Sequence, residues 1–238
     1  MMLLRSSLFA LALLVVTPPF ALASLFTAPL PRHARYRFIR GWSVIMLWLL
    51  QRLCGIRWSV EGLEHLPRQP AVILSRHESA WETLAFQSIF PPQVHVLKRE
   101  LLWLPFFGWG LALMSPIAID RARGLAALRQ IARRGKVRLA QGFWVVVFPE
   151  GTRLEPGKRR KYQLGGAWLA AHAGVPVVPV AHNAGRAWPR HWLLKYPRHI
   201  TLRIGPPIDA AGRDPNTINA EAQAWIESQQ QLLEAQAP

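Results

Sequence analysis

Seven short apolar runs of strand length follow one another after residue 56: RWSVEG, AVILS, VHVL, PIAI, WVVVF, VVPVA and ITLRIG. Amphipathic segments separate most of them, near residues 80–90, 122–140 and 164–173, and another closes the chain at 217–234. Apolar strands interleaved with helical segments predict an α/β domain, with a mixed, largely parallel sheet flanked by helices. The DPNT stretch marks the start of the last helix, with Asn216 or Thr217 expected near its cap. The chain's 238 residues suffice for one such core and a small appendage.

The appendage is N-terminal. Residues 6–31 contain no charge, and about 20 apolar residues cross a bilayer core. Pro18-Pro19 interrupts the middle, which argues against a straight helix. A second apolar stretch, 41–56, is short for a span and carries Arg52. Between the two lie Arg32, Arg35, Arg37 and Arg40, a cluster that the positive-inside tendency holds in the cytoplasm; Arg5 argues the same for the N-terminus. The expected geometry is a pair of helices dipping into one leaflet from the cytoplasmic face of the inner or plasma membrane. A conventional span and a cleavable signal ending near ALA at 21–23 stay open. The division expected is a membrane-associated helical segment over 1–56 and an α/β domain over 57–238.

Charge supports a membrane surface. Hydrophobic residues make up 51% of the chain, yet 29 basic residues face 13 acidic ones, a net charge of +16. That combination suits an anionic surface. The basic stretch 121–140 carries apolar positions 125, 128, 131, 132 and 139 at helical spacing. Trp42 and Trp48 are expected interfacial anchors. No nucleic-acid-binding motif is present, so no nucleic-acid partner is expected. Cys54, the one cysteine, excludes an internal disulfide and a cysteine metal cluster.

Acids are scarce enough to weigh singly. None precedes Glu61, and between Arg68 and Pro149 only Glu78, Glu82, Glu100 and Asp120 occur. Two of these sit in SRHESAWET, 75–83, directly after a buried-strand pattern, where open α/β sheets place ligand sites. His77 can take a proton from a hydroxyl, and does so better when a carboxylate holds its other ring nitrogen. Glu82 can serve if His77 lies in a loop and Glu82 in the first helical turns, because an offset of five rotates side chains roughly 140° apart on one helix. Glu78 reads as an ordinary first-turn carboxylate. Trp81 stands where the metalloprotease spacing needs a second histidine, so no metal site is expected. Ser79 lacks a nucleophile elbow.

The second fragment, VVVFPEGTR at 145–153, reads as a buried strand and a turn bearing Glu150, Gly151, Thr152 and Arg153. Glycine lets a ligand approach the backbone, and the arginine fork matches phosphate oxygens. Alone, each fragment also fits a plain surface turn.

Together they resemble the 1-acylglycerol-3-phosphate acyltransferase family of glycerolipid acyltransferases. HESAWE is similar to the family's first motif (a histidine and, after four positions, an acid). FGWGLALMSPIAIDR, 107–121, resembles the second, FPEGTR at 148–153 the third, and VPVVPVAHN at 175–183 the fourth. The likeness runs in order from about residue 57 to 205. Glu82 departs from the family's usual aspartate, and Tyr162-Gln163 from its usual aromatic-lysine pair.

The resemblance implies transfer of a fatty acyl group from acyl-CoA or acyl carrier protein to lysophosphatidic acid, giving phosphatidic acid. His77 would be the general base and Glu82 its orienting partner. Arg153, Arg121 and Lys98 would bind the acceptor phosphate, while Glu150 and Thr152 hold the turn and Arg153. Attack would be direct, with no cofactor. The basic stretch would meet membrane lipids or an acidic acyl carrier. The same chemistry on another acceptor (a lysophospholipid, glycerol 3-phosphate or an amino-acid lipid) and a non-enzymatic basic membrane-tethered binding protein are the rival readings. His65, His95, His172, His182, His191 and His199 show no ligand spacing and read as ordinary.

Overall fold

A computed structural model describes residues 1–190 and 193–236, the side chain of Arg121 excepted. His191 therefore lies outside the described residues. All seven apolar runs form strands: β1 (Arg57–Glu61), β2 (Val72–Ser75), β3 (Gln93–Lys98), β4 (Ile117–Ile119), β5 (Trp144–Val147), β6 (Val177–His182) and β7 (His199–Ile204). They make one sheet in the order β1-β7-β6-β2-β5-β3-β4. Every pairing is parallel except β6 with β7.

Among the described residues eight α-helices flank it: α1 (Met2–Leu25), α2 (Arg32–Cys54), α3 (Trp81–Ile89), α4 (Phe107–Leu113), α5 (Leu125–Ala140), α6 (Gly165–Ala173), α7 (Ala184–Ala187) and α8 (Pro215–Ala235). Because successive strand residues point to opposite faces, β2 sends Val72 and Leu74 into one core and Ile73 into the other. The first core is closed by Ile131 of α5, Leu169 of α6 and Ile226 of α8. The second is closed by Leu50 of α2 and by Trp81 and Phe86 of α3. Central strands buried on both faces explain runs such as WVVV.

Several local expectations need correction. The arginine cluster 32–40 is not a connector: it forms the first turns of α2, which runs unbroken to Cys54. Pro18 and Pro19 do not break α1 either. They remove only backbone donors and are tolerated in an apolar helix whose neighbours pack against it. Asp214, and neither Asn216 nor Thr217, caps α8, accepting from the Thr217 N–H at 3.2 Å, with Pro215 at the favoured first position. In α5 the buried stripe is Ala127, Ile131, Gly135 and Leu139, and Leu125 faces out at 73% exposure. Trp48 is exposed, but Trp42 turns inward and donates from Nε1 to Thr17 Oγ1 at 3.2 Å, joining the two N-terminal helices.

α1 is the one described helix long and apolar enough to cross a membrane. It is also knitted to the domain. The Lys195 backbone N–H donates to Ser6 Oγ at 2.9 Å, and Phe9 meets Trp188 edge-on at 5.5 Å. Its outer side leaves Leu4, Leu11, Leu14 and Val15 exposed.

Candidate active site

β2 ends at Ser75, and residues 76–80 form a loop before α3 begins at Trp81. His77 sits in that loop and Glu82 in the first turn of the helix. A five-residue offset thereby becomes a contact: His77 Nδ1 lies 2.8 Å from Glu82 Oε1. The same oxygen accepts the backbone N–H groups of Glu78 (3.0 Å) and Ser79 (2.9 Å). Glutamate is long enough to reach back to all three donors from the helix.

Glu82 is completely buried. Burial alone would raise its pKa, but the positive charge that His182 and His77 take on when protonated, with the hydrogen bonds from His77 and the Ser79 N–H, outweighs it and holds the carboxyl at about 2. An ionised carboxylate only accepts hydrogen bonds. His77 must therefore carry its proton on Nδ1, which makes Nε2 the basic atom of the neutral ring. The ring is kept flat by stacking on Phe148, centroids 4.0 Å apart and planes 14° apart.

Phe148 opens the FPEGTR motif, and the two fragments are joined by backbone: the Leu154 N–H donates to His77 O at 2.7 Å. Gly151 takes a positive φ of 72° in this turn, open to glycine at little cost. Glu150 turns towards the neighbouring loop. It is buried, and its Oε1 lies 3.8 Å from Arg76 Nη1. The reason is the neighbouring loop: Arg76, buried beside His77, donates from Nε to Glu78 Oε1 at 3.1 Å and from Nη2 to Lys158 O at 2.5 Å. Thr152 is partly buried in the turn.

Glu78 is likewise no first-turn surface acid. It is buried before the helix begins, and accepts from the Gly185 N–H (3.2 Å) and from Gln230 Nε2 of α8 (2.9 Å). A Cβ on Gly185 would stand 2.9 Å from that of Glu78, so the approach requires glycine. One guanidinium thus serves two buried carboxylates. Burial pushes Glu78 up to about 7 and Glu150 up to about 8 against the attraction of Arg76. Glu78 has three donors, so the proton retained near neutrality belongs to Glu150.

Two histidines that the sequence left as ordinary belong here. His182, at the end of β6, is fully buried. Its Nδ1 accepts from the Ala184 N–H at 3.3 Å while Nε2 meets Arg76 O at 2.9 Å, which requires a neutral ring protonated on Nε2. His95 of β3 stacks at 6.1 Å on the same Phe148. Burial and the adjacent His77 hold its pKa down near about 4. The signal for His182 was its place in the fourth motif; Arg76 and Glu78 flank His77 directly.

His77, Phe148, Lys98 and Arg153 line a cavity of about 220 Å³. Its walls are mostly apolar and come from the N-terminal helices (Phe20, Ile39, Trp42), α3 (Leu84) and α4 (Phe107, Leu111). Lys98 is exposed and pairs loosely with Glu100 at 3.8 Å. Asp120 binds Arg99 at 3.2 Å and Arg123 at 3.3 Å. The Arg121 side chain lies outside the described residues.

The arrangement offers an imidazole of fixed tautomer on the wall of a mostly apolar cavity that Lys98 and Arg153 also line. A family model described as Acyltransferase matches residues 57–183. A 1-acyl-sn-glycerol-3-phosphate acyltransferase of Pseudomonas aeruginosa is 47% identical over 228 residues, covering 94% of this chain and 89% of that one. The alpha enzyme of the same name from Mus musculus is 32% identical over 79% of this chain and 68% of its own. The crystal structure of a 1-acyl-sn-glycerophosphate acyltransferase from Thermotoga maritima superposes with a TM-score of 0.81. It covers 100% of this chain and 98% of that one at 22% identity, a likeness of fold.

Proposed function

The chain belongs to the acyltransferase family, and from that premise we propose that it acylates the free hydroxyl of 1-acyl-glycerol 3-phosphate, making phosphatidic acid for phospholipid synthesis. The relatives' names support this acceptor. The observation that carries the chemistry is the Glu82 carboxylate on His77 Nδ1. It reserves Nε2 for the acceptor.

In this reading Nε2 takes the hydroxyl proton as the oxygen attacks the thioester carbonyl carbon. The tetrahedral adduct collapses with cleavage of the carbon–sulfur bond, and the imidazolium returns the proton to the departing thiolate. Glu82 stays ionised and stabilises the imidazolium, as the orienting carboxylate of a triad does. No covalent acyl-enzyme, metal or cofactor takes part. Acyl-CoA or acyl carrier protein is the donor.

Arg153 and Lys98 share the cavity rim with His77 and are read as binding the acceptor phosphate, with Arg121 as a third cation on the strength of its motif. The apolar cavity suits an acyl chain. α1 is read as a membrane anchor, so that the lipid acceptor reaches His77 without leaving the bilayer surface; the cytoplasmic face is the expected side.

The test is transfer of a labelled acyl group to lysophosphatidic acid by wild type and His77→Ala in matched vesicles. Loss of about 10² to 10⁴-fold in rate with unchanged membrane binding is expected. Full activity in the variant would remove His77 as base, and equal rates on a phosphate-free acceptor would remove the phosphate role.

A further inference from the structure

The cavity beneath His77 is not uniformly oily. Gln93 at the start of β3 is fully buried and lines it, yet neither its Oε1 nor its Nε2 has a hydrogen-bonding partner among the described residues. Gln87 of α3, also buried and lining the cavity, leaves Oε1 in the same state, and so does His95 Nε2. Gln93 and His95 are two apart on a strand and share a face. Thr83 and Gln87 are four apart on a helix and share another. A polar file therefore runs from the reacting end into an apolar chamber.

Leaving such groups unpaired costs about 1–3 kcal/mol each, far more than an apolar lining would. A chamber meant only for a plain hydrocarbon gains nothing from two amides. Resting on the reading of this cavity as the acyl-chain site, we infer that it is built to receive an acyl chain carrying a hydroxyl group along its length, bound by the amides of Gln93 and Gln87.

The register gives the depth. Gln93 pairs with Trp144, four residues before Phe148, against which His77 stacks. Four strand residues span about 13 Å at roughly 3.3 Å each. An extended chain advances roughly 1.25 Å per carbon from ordinary bond lengths and angles, so the hydroxyl lies about ten carbons from the thioester.

The test compares octadecanoyl-CoA with two derivatives, one hydroxylated mid-chain and one hydroxylated beside the thioester end, on wild type and Gln93→Met. The expected result is a kcat/KM ratio favouring the mid-chain derivative over the plain donor by about ten-fold or more, no such preference for the other derivative, and collapse of the ratio in the variant. A wild-type ratio at or below one, or a preference that survives Gln93→Met, overturns the inference. If no donor is transferred at all, it is the proposed function that fails. Displacement of a fluorescent fatty acid by free hydroxylated and plain octadecanoic acids then reads the chamber independently, equal displacement overturning the inference. Wild type alone decides the first criterion should the variant misfold.

Discussion

Glu82 holds His77 with the same carboxylate oxygen that pins the backbone of the loop carrying it. Oε1 lies 2.8 Å from the ring and 3.0 and 2.9 Å from the N–H groups of residues 78 and 79. One anion thus sets both the tautomer of the base and the conformation of its peptide, which makes its charge more consequential than its size.

Glu82→Gln should retain the shape and lose the charge. An amide offers a donor as well as an acceptor, so it can meet Nδ1 in the wrong tautomer and gives the imidazolium no counter-ion. A fall in kcat of about 10² to 10⁴-fold with little change in KM is expected, measured by steady-state acyl transfer. Near-wild-type kcat would show that the carboxylate is dispensable.

The paired acids around Arg76 predict how stability varies with pH. Glu78 and Glu150 have folded-state values of about 7 and about 8, above the ordinary carboxylate value of 4.5. The folded state therefore binds their protons more tightly than the unfolded chain does. Their contribution is full below 4.5 and is lost as pH rises through about 8. Thermal unfolding in detergent should show Tm declining across this window, with a shallower decline in Glu150→Gln. An identical slope in that variant would exclude Glu150 as its source.

Gln230 ties the last helix to the loop carrying His77 through Glu78. Gln230→Leu removes a donor from a buried carboxylate and should cost about 1–3 kcal/mol. Gln230→Glu sets a third acid against the pair and should cost more, increasingly so above neutral pH. Denaturant midpoints of the two variants test the order; the reverse order would mean that packing dominates.

Arg153 and Lys98 should separate by exposure. Lys98 has a side chain 55% exposed and an acidic neighbour, Glu100, so its charge is screened by solvent. Arg153→Ala should raise the KM for a phosphate-bearing acceptor by about ten-fold or more, since hydrogen bonds to charged groups contribute about 1.5–3 kcal/mol. Lys98→Ala should raise it less. Equal effects would place the phosphate nearer Lys98.

Residues close in sequence disclosed most of the architecture. The run WVVV announced a strand buried on both faces, which leaves no place for a polar residue, and the alternation in ITLRI announced one with a face left open. The HESAWE and FPEGTR fragments named the residues that the fold brings to one cavity. What failed locally failed for tertiary reasons: Pro18-Pro19 sits within a helix whose neighbours make it tolerable, and Leu125 loses its core position to Ala127, which packs beneath the sheet.

The sequence alone determined the strands, the order of the elements and the spacing that lets Glu82 meet His77. It could do so because periodicity and spacing are properties of neighbouring residues. Only the tertiary structure decided that Glu78 and Glu150 share one guanidinium, that His182 lies neutral behind the site, and that Gln93 faces an oily chamber unpaired. Those facts depend on groups up to 106 positions apart, and burial, which sets their protonation and cost, exists only once the sheet and its helices have closed around them.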